Sequence, residues 1–477
     1  MKFDLELLEF VECDQEIDKL AISGSDKDLT WGEFKAEVED LKKELLSYNI
    51  PTGHPVIIYG HKEVKFIVSI VACISLKMPY IPVDTIYPEE RLKKILDIVD
   101  SAILINTIEN SITIDKNKIN TTYNRDDQII YIMFTSGSTG EPKGVQITKS
   151  AILDFKEWLD NDFKFTNKNI FMNQAPLSFD LSVYELTGFL LFGGSIILNS
   201  RDTIEDYIDY FDRIKKYNCN TWVSTPSFIS KYLLSKEFNT KSIPALYQFI
   251  FCGEILPATT AKRLLNNFSE SVVLNSYGPT EATVATTLVN ITKEMIEKYP
   301  KSLPVGYVKP TSHINLLDID KEGIGEIEIV GDNVSIGYFN NITLNKDKFE
   351  SKYTKRSFKT GDYGYFENEM LFFANRKDEL IKLHGFRIEL EEIDKEILND
   401  SKVKESVTIP LKRGSEVMKL ITFIISDEIL IEDLKKELSD MLPYYMIPSD
   451  IIQIDKFPYN VNHKIDKKEL IQLYKGI

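Results

Sequence analysis

The sequence predicts an α/β protein with a large N-terminal domain of layered α/β subdomains and a small, mobile α+β C-terminal domain. Short apolar runs at 56–60, 101–106 and 195–199 alternate with amphipathic, helix-like stretches near 63–76 and 91–99. Such alternation is typical of α/β layers with parallel strands. The chain has 477 residues, which is more than a single hydrophobic core usually organises. This length indicates roughly two to four structural units.

The hydrophobic pattern changes towards the C-terminus. Residues 314–331 contain short strand-like runs separated by turn signals, which predict a β-rich subdomain within the large domain. Further on, 420–426 is strand-like, and 431–442 has the periodicity of a helix. Charged residues around 375–379 separate two apolar strands, so we expect an N-terminal core over 1–377 and a C-terminal lid over 378–477.

Composition and charge exclude several functional classes. Hydrophobic residues make up 43% of the chain and charged residues 27%, as in globular proteins. The formal net charge is −16 and no long basic block is present, which argues against a nucleic-acid partner. The N-terminus carries Asp4, Glu6 and Glu9 where a signal peptide would be apolar, and no apolar run approaches about 18 residues. We therefore expect a cytoplasmic protein without membrane insertion.

The segment TSGSTGEPKGV, residues 135–145, follows a strand-like run and has the composition of a phosphate-binding loop. Glycines let backbone N–H groups turn towards an anion, hydroxyls add donors and a lysine adds positive charge. The spacing differs from that of a Walker loop, and alone such a segment is more often a plain turn. The candidate phosphate-binding residues are Thr135, Ser136, Gly137, Ser138, Thr139 and Lys143.

This segment resembles a motif of the adenylate-forming superfamily, which includes acyl-CoA synthetases, luciferases and the adenylation domains of peptide synthetases. The resemblance extends over nearly the whole chain. Segments similar to the family's other motifs follow in order: KMPYIPVD (77–84), FDLSVYEL (179–186), NSYGPTEAT (275–283), TGDYG (360–364), NRKDELIKLHGFRIELEEID (375–394) and NHKID (462–466). The resemblance implies a two-domain ligase that uses ATP and Mg²⁺.

The resemblance also assigns residues to ATP. It implies that Glu281 binds Mg²⁺, that Thr280 holds phosphate oxygens, and that Asp362 accepts the ribose hydroxyls. Taken alone, TGDYG would instead indicate a β-turn capped by its aspartate. The residues implied for adenine and ribose are Asn275, Ser276, Tyr277, Gly278, Pro279, Asp362, Phe373 and Arg376.

Three C-terminal positions match family residues that act in two successive half-reactions. Lys464 resembles the lysine that bridges the substrate carboxylate and the phosphate. Asp378 matches the residue at the domain hinge, and Gly385 matches the glycine beside the pantetheine tunnel. The sequence departs from the family at His463 and Asn375, where glycine is usual. A position that requires a positive φ angle disfavours histidine relative to glycine, whereas asparagine tolerates such an angle.

The segment around Asp180 resembles that of the amino-acid-activating members. A carboxylate there would pair with the substrate ammonium, although a capping or turn aspartate is the simpler interpretation. Cys252 and Val284 match the side-chain pocket of the family branch that activates D-alanine, whereas Tyr184 departs from it, because methionine is usual at that position. A phenol there either shrinks the pocket or offers a hydroxyl to a polar side chain.

We therefore expect adenylation of a small amino acid, with D-alanine as the leading candidate, and transfer to the phosphopantetheine thiol of a carrier protein acting in trans. The resemblance implies a role in teichoic-acid alanylation. One alternative is a stand-alone enzyme of nonribosomal peptide synthesis for L-alanine, glycine, serine, cysteine, proline or β-alanine. Another is a catalytically silent nucleotide-binding regulator.

Overall fold

The computed structural model describes residues 1–12, 16–118, 128–136, 141–352, 354–376, 380–383, 386–413, 416–426, 430–458 and 465–476. The chain forms two compact units. Unit 1 contains residues 1–85, 96–134 and 144–377, and unit 2 contains residues 86–95, 135–143 and 378–477. The division at 377/378 that the sequence predicts stays a prediction.

Strands alternate with helices through residue 298, and strands predominate from there to residue 389. The strands are β1 Lys2–Asp4, β2 Glu9–Val11, β3 Leu20–Ser23, β4 Asp28–Thr30, β5 Val56–Gly60, β6 Tyr80–Asp84, β7 Ile103–Asn106, β8 Ser111–Ile114, β9 Ile129–Thr135, β10 Lys143–Thr148, β11 Ile170–Asn173, β12 Ser195–Leu198, β13 Thr221–Ser224, β14 Gln248–Phe251, β15 Val272–Tyr277, β16 Thr287–Asn290, β17 Tyr307–Val308, β18 Ser312–Leu317, β19 Gly325–Gly331, β20 Phe349–Lys352, β21 Lys355–Glu367, β22 Met370–Arg376, β23 Leu380–Leu383, β24 Phe386–Glu389, β25 Val403–Arg413, β26 Glu416–Ser426 and β27 Asp450–Gln453.

The helices are amphipathic where they cover a sheet and apolar all round where they are buried. In the first helix, Thr30 and Glu33 form a capping box, and Trp31, Phe34 and Val38 lie on the buried face. The helices are α1 Trp31–Ser47, α2 Val64–Ser75, α3 Glu89–Val99, α4 Lys149–Trp158, α5 Ser182–Phe192, α6 Arg201–Glu205, α7 Tyr207–Lys216, α8 Pro226–Tyr232, α9 Ala258–Asn267, α10 Lys293–Lys298, α11 Ile342–Lys348, α12 Leu390–Leu398, α13 Ile431–Met441 and α14 Lys467–Gly476.

Unit 1 is built on two large mixed sheets. Among the described residues, one sheet has six strands in the order β10-β9-β6-β5-β7-β8, and the other has nine in the order β17-β16-β15-β14-β13-β11-β12-β3-β4. Strands β11 to β15 run parallel, as do β5, β6 and β7. Parallel strands are covered on both faces, which explains why their sequences are almost continuously apolar.

The carboxyl ends of neighbouring parallel strands bring several polar residues to one edge of the nine-stranded sheet. Asn173 ends β11, Cys252 directly follows β14, and Tyr277 ends β15. Strands β11, β13, β14 and β15 are consecutive neighbours in this sheet. Ligands of open α/β sheets bind outside the carboxyl ends of the strands, so a site is expected at this edge.

A third, antiparallel sheet of unit 1 has the order β18-β19-β21-β20, and β22 pairs with β21. Its register places Asp362 directly opposite Arg376. The predicted β-rich subdomain is confirmed. Asp362 lies inside the long strand β21, so the alternative interpretation of TGDYG as a capped β-turn is wrong.

Unit 2 contains the β23–β24 hairpin and a sheet in the order β25-β26-β27, together with α12, α13 and α14. A core around Ile409, Ile421 and Phe423 holds this sheet against α14. Within this unit Arg91 and Glu392 form a buried ion pair at 2.7 Å. Replacing only one partner of a buried ion pair leaves the other charge buried without compensation, which destabilises the protein. We therefore expect neither residue to tolerate replacement alone.

Most sequence-based expectations for secondary structure are confirmed. The runs at 56–60, 101–106 and 195–199 contain β5, β7 and β12. The stretch near 63–76 contains α2, and the stretch at 91–99 lies within α3, which begins at Glu89. The strand and helix predicted at 420–426 and 431–442 are β26 and α13. In the described part of the chain, no helix is both long and apolar enough to cross a membrane.

Candidate active site

The segment 278–286, which connects β15 to β16, has an unusual backbone. Thr283 and Val284 have φ angles of 52° and 68°, which β-branched residues rarely adopt. The segment folds back on Gly278, where a Cβ atom would lie 2.5 Å from the Cα of Ala285. Only glycine allows this approach, and strained backbone of this kind is concentrated at functional sites.

Asn333 holds the strained segment in place. Its side-chain amide donates to the carbonyl of Ala282 and to the hydroxyl of Thr286, both at 3.0 Å. Its backbone carbonyl accepts a 2.6 Å hydrogen bond from the Thr283 hydroxyl. Asn333 is fully buried. Sequence analysis missed this residue, because one asparagine in a turn between strands carries no signal of a long-range role.

Tyr277, Asp362 and Arg376 form a hydrogen-bonded group. The Tyr277 hydroxyl donates to Asp362 Oδ2, and the guanidinium of Arg376 donates to Asp362 Oδ1, both at 2.7 Å. Burial, and then the neighbouring Asp362, raises the pKa of Tyr277 well above its usual range, so its hydroxyl stays protonated. The ring of Phe373 lies 6.3 Å from that of Tyr277. The structure therefore brings together four residues predicted for adenine and ribose.

Asn275 has one satisfied and one unsatisfied side-chain atom. Its Nδ2 donates to the carbonyl of Pro304 at 2.8 Å. Its Oδ1 is buried and has no hydrogen-bond partner among the described residues. A buried carbonyl oxygen without a donor is costly, which suits it to accept a hydrogen bond from a ligand.

Tyr184 is completely buried in the first turns of α5, with its ring against Phe155 and Phe163. Its hydroxyl lies 2.9 Å from that of Ser276, which is 2.8 Å from the carbonyl of Phe251. A carbonyl only accepts, so Ser276 donates to it and Tyr184 donates to Ser276. The hydrogen-bond donor of the phenol is therefore already used within the protein.

The other predicted substrate residues lie close to Tyr184. The thiol of Cys252 is 3.6 Å from the carbonyl of Val284, and both residues are buried. Burial raises the pKa of Tyr184 well above its usual range, and the neighbouring Cys252 and Asp180 add to this shift. Asp180 is partly buried and is not the N-cap of α5, a position that Leu181 occupies without a side-chain hydrogen bond.

Glu281 lies in a short 3₁₀ turn, Thr280–Ala282, directly after Pro279. Its side chain is fully buried, and its Oε1 accepts a 2.7 Å hydrogen bond from the Tyr338 hydroxyl. The backbone of Ser335 donates to the carbonyl of Glu281 at 2.8 Å. These bonds fix the carboxylate, and Tyr338 is a second partner that sequence analysis missed.

Three candidate residues of the predicted phosphate loop, Thr135, Ser136 and Lys143, are described by the structure and belong to unit 2. The hydroxyl of Thr135 is buried without a hydrogen-bond partner in the described part of the chain. The Ser136 hydroxyl donates to the carbonyl of Arg387 at 2.8 Å, and Lys143 forms a 2.9 Å ion pair with Glu389. The lysine is thus paired with a carboxylate, a chemical analogue of the anion that the sequence predicts for it.

Several predicted residues lie outside the described part of the chain. They are Gly137, Ser138 and Thr139 of the phosphate loop, the hinge residue Asp378, Gly385, His463 and the catalytic candidate Lys464. Asn375 is described and pairs with Tyr363 in the antiparallel sheet. The roles assigned to all these residues stay predictions.

Comparison with known proteins identifies the family. A model described as AMP-binding enzyme matches residues 10–339. The chain is 36% identical to a D-alanine–D-alanyl carrier protein ligase of Bacillus cytotoxicus, over 98% of this chain and 99% of that protein. It is 37% identical to a protein of the same name from Bacillus licheniformis, over 95% of this chain and 96% of that protein.

Solved structures share the fold. The adenylation domain AlmE of Vibrio cholerae, in complex with glycyl-adenosine-5′-phosphate, has a TM-score of 0.83 and 19% identity, over 98% of this chain and 99% of that one. An o-succinylbenzoate CoA synthetase from Bacillus subtilis has the same score and identity, over 99% and 98%. The family match and the full-length relatives show that the chain belongs to the family of AMP-binding enzymes.

Proposed function

We propose that this enzyme is an AMP-forming ligase that activates D-alanine and transfers it to a carrier protein. In the first step a carboxylate oxygen of the amino acid attacks the α-phosphorus of ATP, and pyrophosphate leaves. In the second step the sulfur of a phosphopantetheine thiol attacks the carbonyl carbon of the aminoacyl adenylate, and AMP leaves. Because both steps need ATP or its product, we place the activity in the cytoplasm.

The nucleotide half of the proposal rests on the group around Asp362. The buried Oδ1 of Asn275 offers an acceptor that suits the amino group of adenine, and Tyr277 offers an aromatic face. Each carboxylate oxygen of Asp362 has two lone pairs and uses one for Tyr277 or Arg376. The remaining lone pairs can accept the ribose hydroxyls without breaking the existing bonds.

The observation that carries the choice of an amino acid is the position of Asp180. Its carboxylate is partly buried and lies near the pocket of Tyr184 and Cys252, where a substrate ammonium would pair with it. Full-length relatives at 36% and 37% identity are named D-alanine–D-alanyl carrier protein ligases, which supports D-alanine and a carrier protein as the substrates.

Tyr184 favours the smallest side chains. Its ring fills space beside Cys252, and its hydroxyl already donates to Ser276. Of the two possibilities left by the sequence, this arrangement supports a phenol that shrinks the pocket rather than one that donates to a polar substrate. The same bulk makes glycine the second candidate substrate, since a hydrogen needs less room than a methyl group.

We predict that Tyr184→Ala broadens the substrate range. The enlarged pocket should raise the preference for valine over alanine, as kcat/KM in pyrophosphate exchange, by roughly 10- to 200-fold, the range that one or two methylenes produce in a fitted pocket. Removing a buried aromatic ring should also cost about 3–5 kcal/mol of stability. Phe238→Ala is the control, because Phe238 is equally buried in another core. An unchanged substrate preference in Tyr184→Ala would contradict the pocket assignment.

Glu281 fits the Mg²⁺ ion that ATP chemistry requires. Its carboxylate supplies hard oxygen donors, and Mg²⁺ in nucleotide sites commonly takes only one or two protein carboxylates, with phosphate and water completing the shell. The ion would neutralise charge on the phosphates. The hydroxyl of Tyr338 orients the carboxylate by its bond to Oε1.

We predict that Tyr338→Phe weakens Mg²⁺ binding. Loss of a partner that orients a metal ligand typically costs 10- to 100-fold in affinity, so the Mg²⁺ needed for half-maximal exchange should rise roughly tenfold. Binding of Mn²⁺ to the ATP complex, followed by electron paramagnetic resonance, should weaken in parallel. Tyr210→Phe is the control, since that hydroxyl has no partner among the described residues. Equal Mg²⁺ dependence in both variants would argue against this role.

The second half-reaction rests on residues outside the described part of the chain. We propose that the C-terminal lid, 378–477, rotates about Asp378, so that Lys464 serves adenylation and Gly385 serves thiol entry. The phosphate loop would release its pairs to bind ATP, with Lys143 exchanging Glu389 for a phosphate. Phosphate oxygens would accept hydrogen bonds from the hydroxyls of Thr135, Ser136 and Thr280. They would also accept hydrogen bonds from backbone N–H or hydroxyl groups of Gly137, Ser138 and Thr139.

The test of the proposed function is amino-acid-dependent ATP–pyrophosphate exchange with D-alanine, L-alanine, glycine, serine, cysteine, proline and β-alanine. We expect the highest kcat/KM with D-alanine. Preference for another amino acid would retain the chemistry and support a stand-alone enzyme of peptide synthesis. Tight ATP binding without exchange for any of these amino acids would support a nucleotide-binding regulator and contradict the proposed function.

A further inference from the structure

A lysine is completely buried between the two large sheets of unit 1. Lys62 lies between β5 and α2, flanked by His61 and Glu63 in the connecting segment, and its side chain has no solvent exposure. Its ammonium donates to the side-chain carbonyl of Asn173 and to the backbone carbonyl of Ala175. Lys62 therefore connects the sheet that contains β5 to the carboxyl end of β11 in the other sheet.

Asn173 extends this contact to helix α5. Its Nδ2 donates to the carbonyl of Ala175 at 3.3 Å and also to Oε2 of Glu185. Glu185 lies in the first turn of α5 and is fully buried. Its other oxygen, Oε1, has no hydrogen-bond partner among the described residues. Lys62, Asn173 and Glu185 thus form one buried group, which we call the Lys62 cluster.

The Lys62 cluster holds both ends of the segment that carries Asp180. Ala175 begins this segment, and Glu185 lies just beyond its end. Between them the chain makes consecutive turns, with the amide of Phe179 donating to Pro176 at 3.0 Å and the amide of Val183 donating to Asp180 at 2.9 Å. Since the turns lead directly into α5, a shift at either end would move Asp180.

Such a cluster is not explained by stability alone. Burial lowers the pKa of Lys62 to about 8, although the negative charges of Asp84 and Glu185 oppose this shift. Burial likewise raises the pKa of Glu185 to about 8, against the hydrogen bond from Asn173 and the charge of Lys62. Apolar residues of similar volume are often at least as stabilising as buried charged groups. A role in positioning would account for the charged residues.

We propose that Lys62 and Glu185 are positioning residues for the amino-acid site, which they serve by fixing the segment 175–181 and with it the carboxylate of Asp180. This inference rests on the proposed function of Asp180 as the partner of the substrate ammonium. It assigns no contact with substrate to either residue.

The test compares KM values for the two substrates in pyrophosphate exchange. A misplacement of about 1 Å in a binding group can cost about 10²-fold, so Lys62→Met should raise the KM for the amino acid roughly 10- to 100-fold. The KM for ATP should change by less than about twofold, because no hydrogen bond found among the described residues joins Asn275 or Asp362 to the cluster. Glu185→Gln keeps an acceptor for Asn173 and should have a smaller effect in the same direction.

Lys309→Met is the matched control. Lys309 is also fully buried and is paired with a carboxylate, that of Asp154, outside the Lys62 cluster. We expect this variant to lose stability without a selective change in the KM for the amino acid. Equal effects of Lys62→Met and Lys309→Met, or parallel rises in both KM values, would overturn the proposal.

Two further outcomes are also decisive. If Lys62→Met does not fold, Glu185→Gln carries the test, and an unchanged amino-acid KM in that variant overturns the proposal. Absence of exchange in the wild type with every amino acid would refute the proposed function itself, and is recognised before any variant is measured.

Discussion

Asp180→Asn should lower kcat/KM for D-alanine by roughly 10²- to 10³-fold. Loss of one partner from a desolvated charge pair costs about 3–5 kcal/mol, and each factor of ten corresponds to about 1.4 kcal/mol. Asparagine keeps the size of the side chain but cannot neutralise the substrate ammonium. The effect should therefore fall mainly on the KM for the amino acid, measured by pyrophosphate exchange, and leave the KM for ATP nearly unchanged.

The control for this prediction is Asp206→Asn. Asp206 caps α7 by accepting hydrogen bonds from the amides of Ile208 and Asp209, and asparagine is an equally good cap. This variant should behave like the wild type. If Asp180→Asn retained wild-type kcat/KM, or if the losses for ATP and amino acid were equal, Asp180 would not be the ammonium partner.

Lys464→Ala should reduce kcat for adenylation by roughly 10²- to 10³-fold, which is the typical cost of removing one group that stabilises developing negative charge. ATP binding, followed by equilibrium titration, should persist, because the adenine and ribose residues are unchanged. Thioester formation from synthetic D-alanyl adenylate and pantetheine should also persist, since no phosphoryl transfer is needed in that step.

Lys468→Ala is the control, because Lys468 is an exposed lysine in α14 close to the same position in the chain. It should leave both half-reactions unchanged. A Lys464→Ala variant that adenylates at the wild-type rate would show that Lys464 has lost the usual role of this lysine. The replacement of the usual glycine by His463 would then be the explanation. Equal loss of both half-reactions would instead indicate a general structural defect.

Secondary structure was predictable where burial dominates. The parallel strands β5, β7 and β12 are continuous apolar runs, because they are covered on both faces, and α13 shows the spacing of a helix with one buried side. The grouping of 86–95 and 135–143 with the C-terminal residues in unit 2 was not predicted. Such grouping depends on contacts between distant segments, on which local patterns carry no information.

The candidate site was predictable where motifs are local. Tyr277 and Asp362 were expected at the nucleotide, and they form a direct hydrogen bond. Their partners in three dimensions were not foreseen, because Asn333 and Tyr338 lie about 50 residues or more along the chain from the segment that they hold. Lys62 carried no signal either, because a lysine between His61 and Glu63 in a strand–helix connection is ordinarily exposed, and only the structure shows that it is buried.

The central claim is that D-alanine is activated and passed to a thiol. It is tested most directly by incubating the enzyme with ATP, Mg²⁺, pantetheine and an equal mixture of D- and L-alanine carrying different isotope labels, and by identifying the thioester by mass spectrometry. We expect pantetheine to carry the label of D-alanine in an ATP-dependent reaction that releases AMP. A thioester carrying the L label, or release of AMP without any thioester, would contradict the claim.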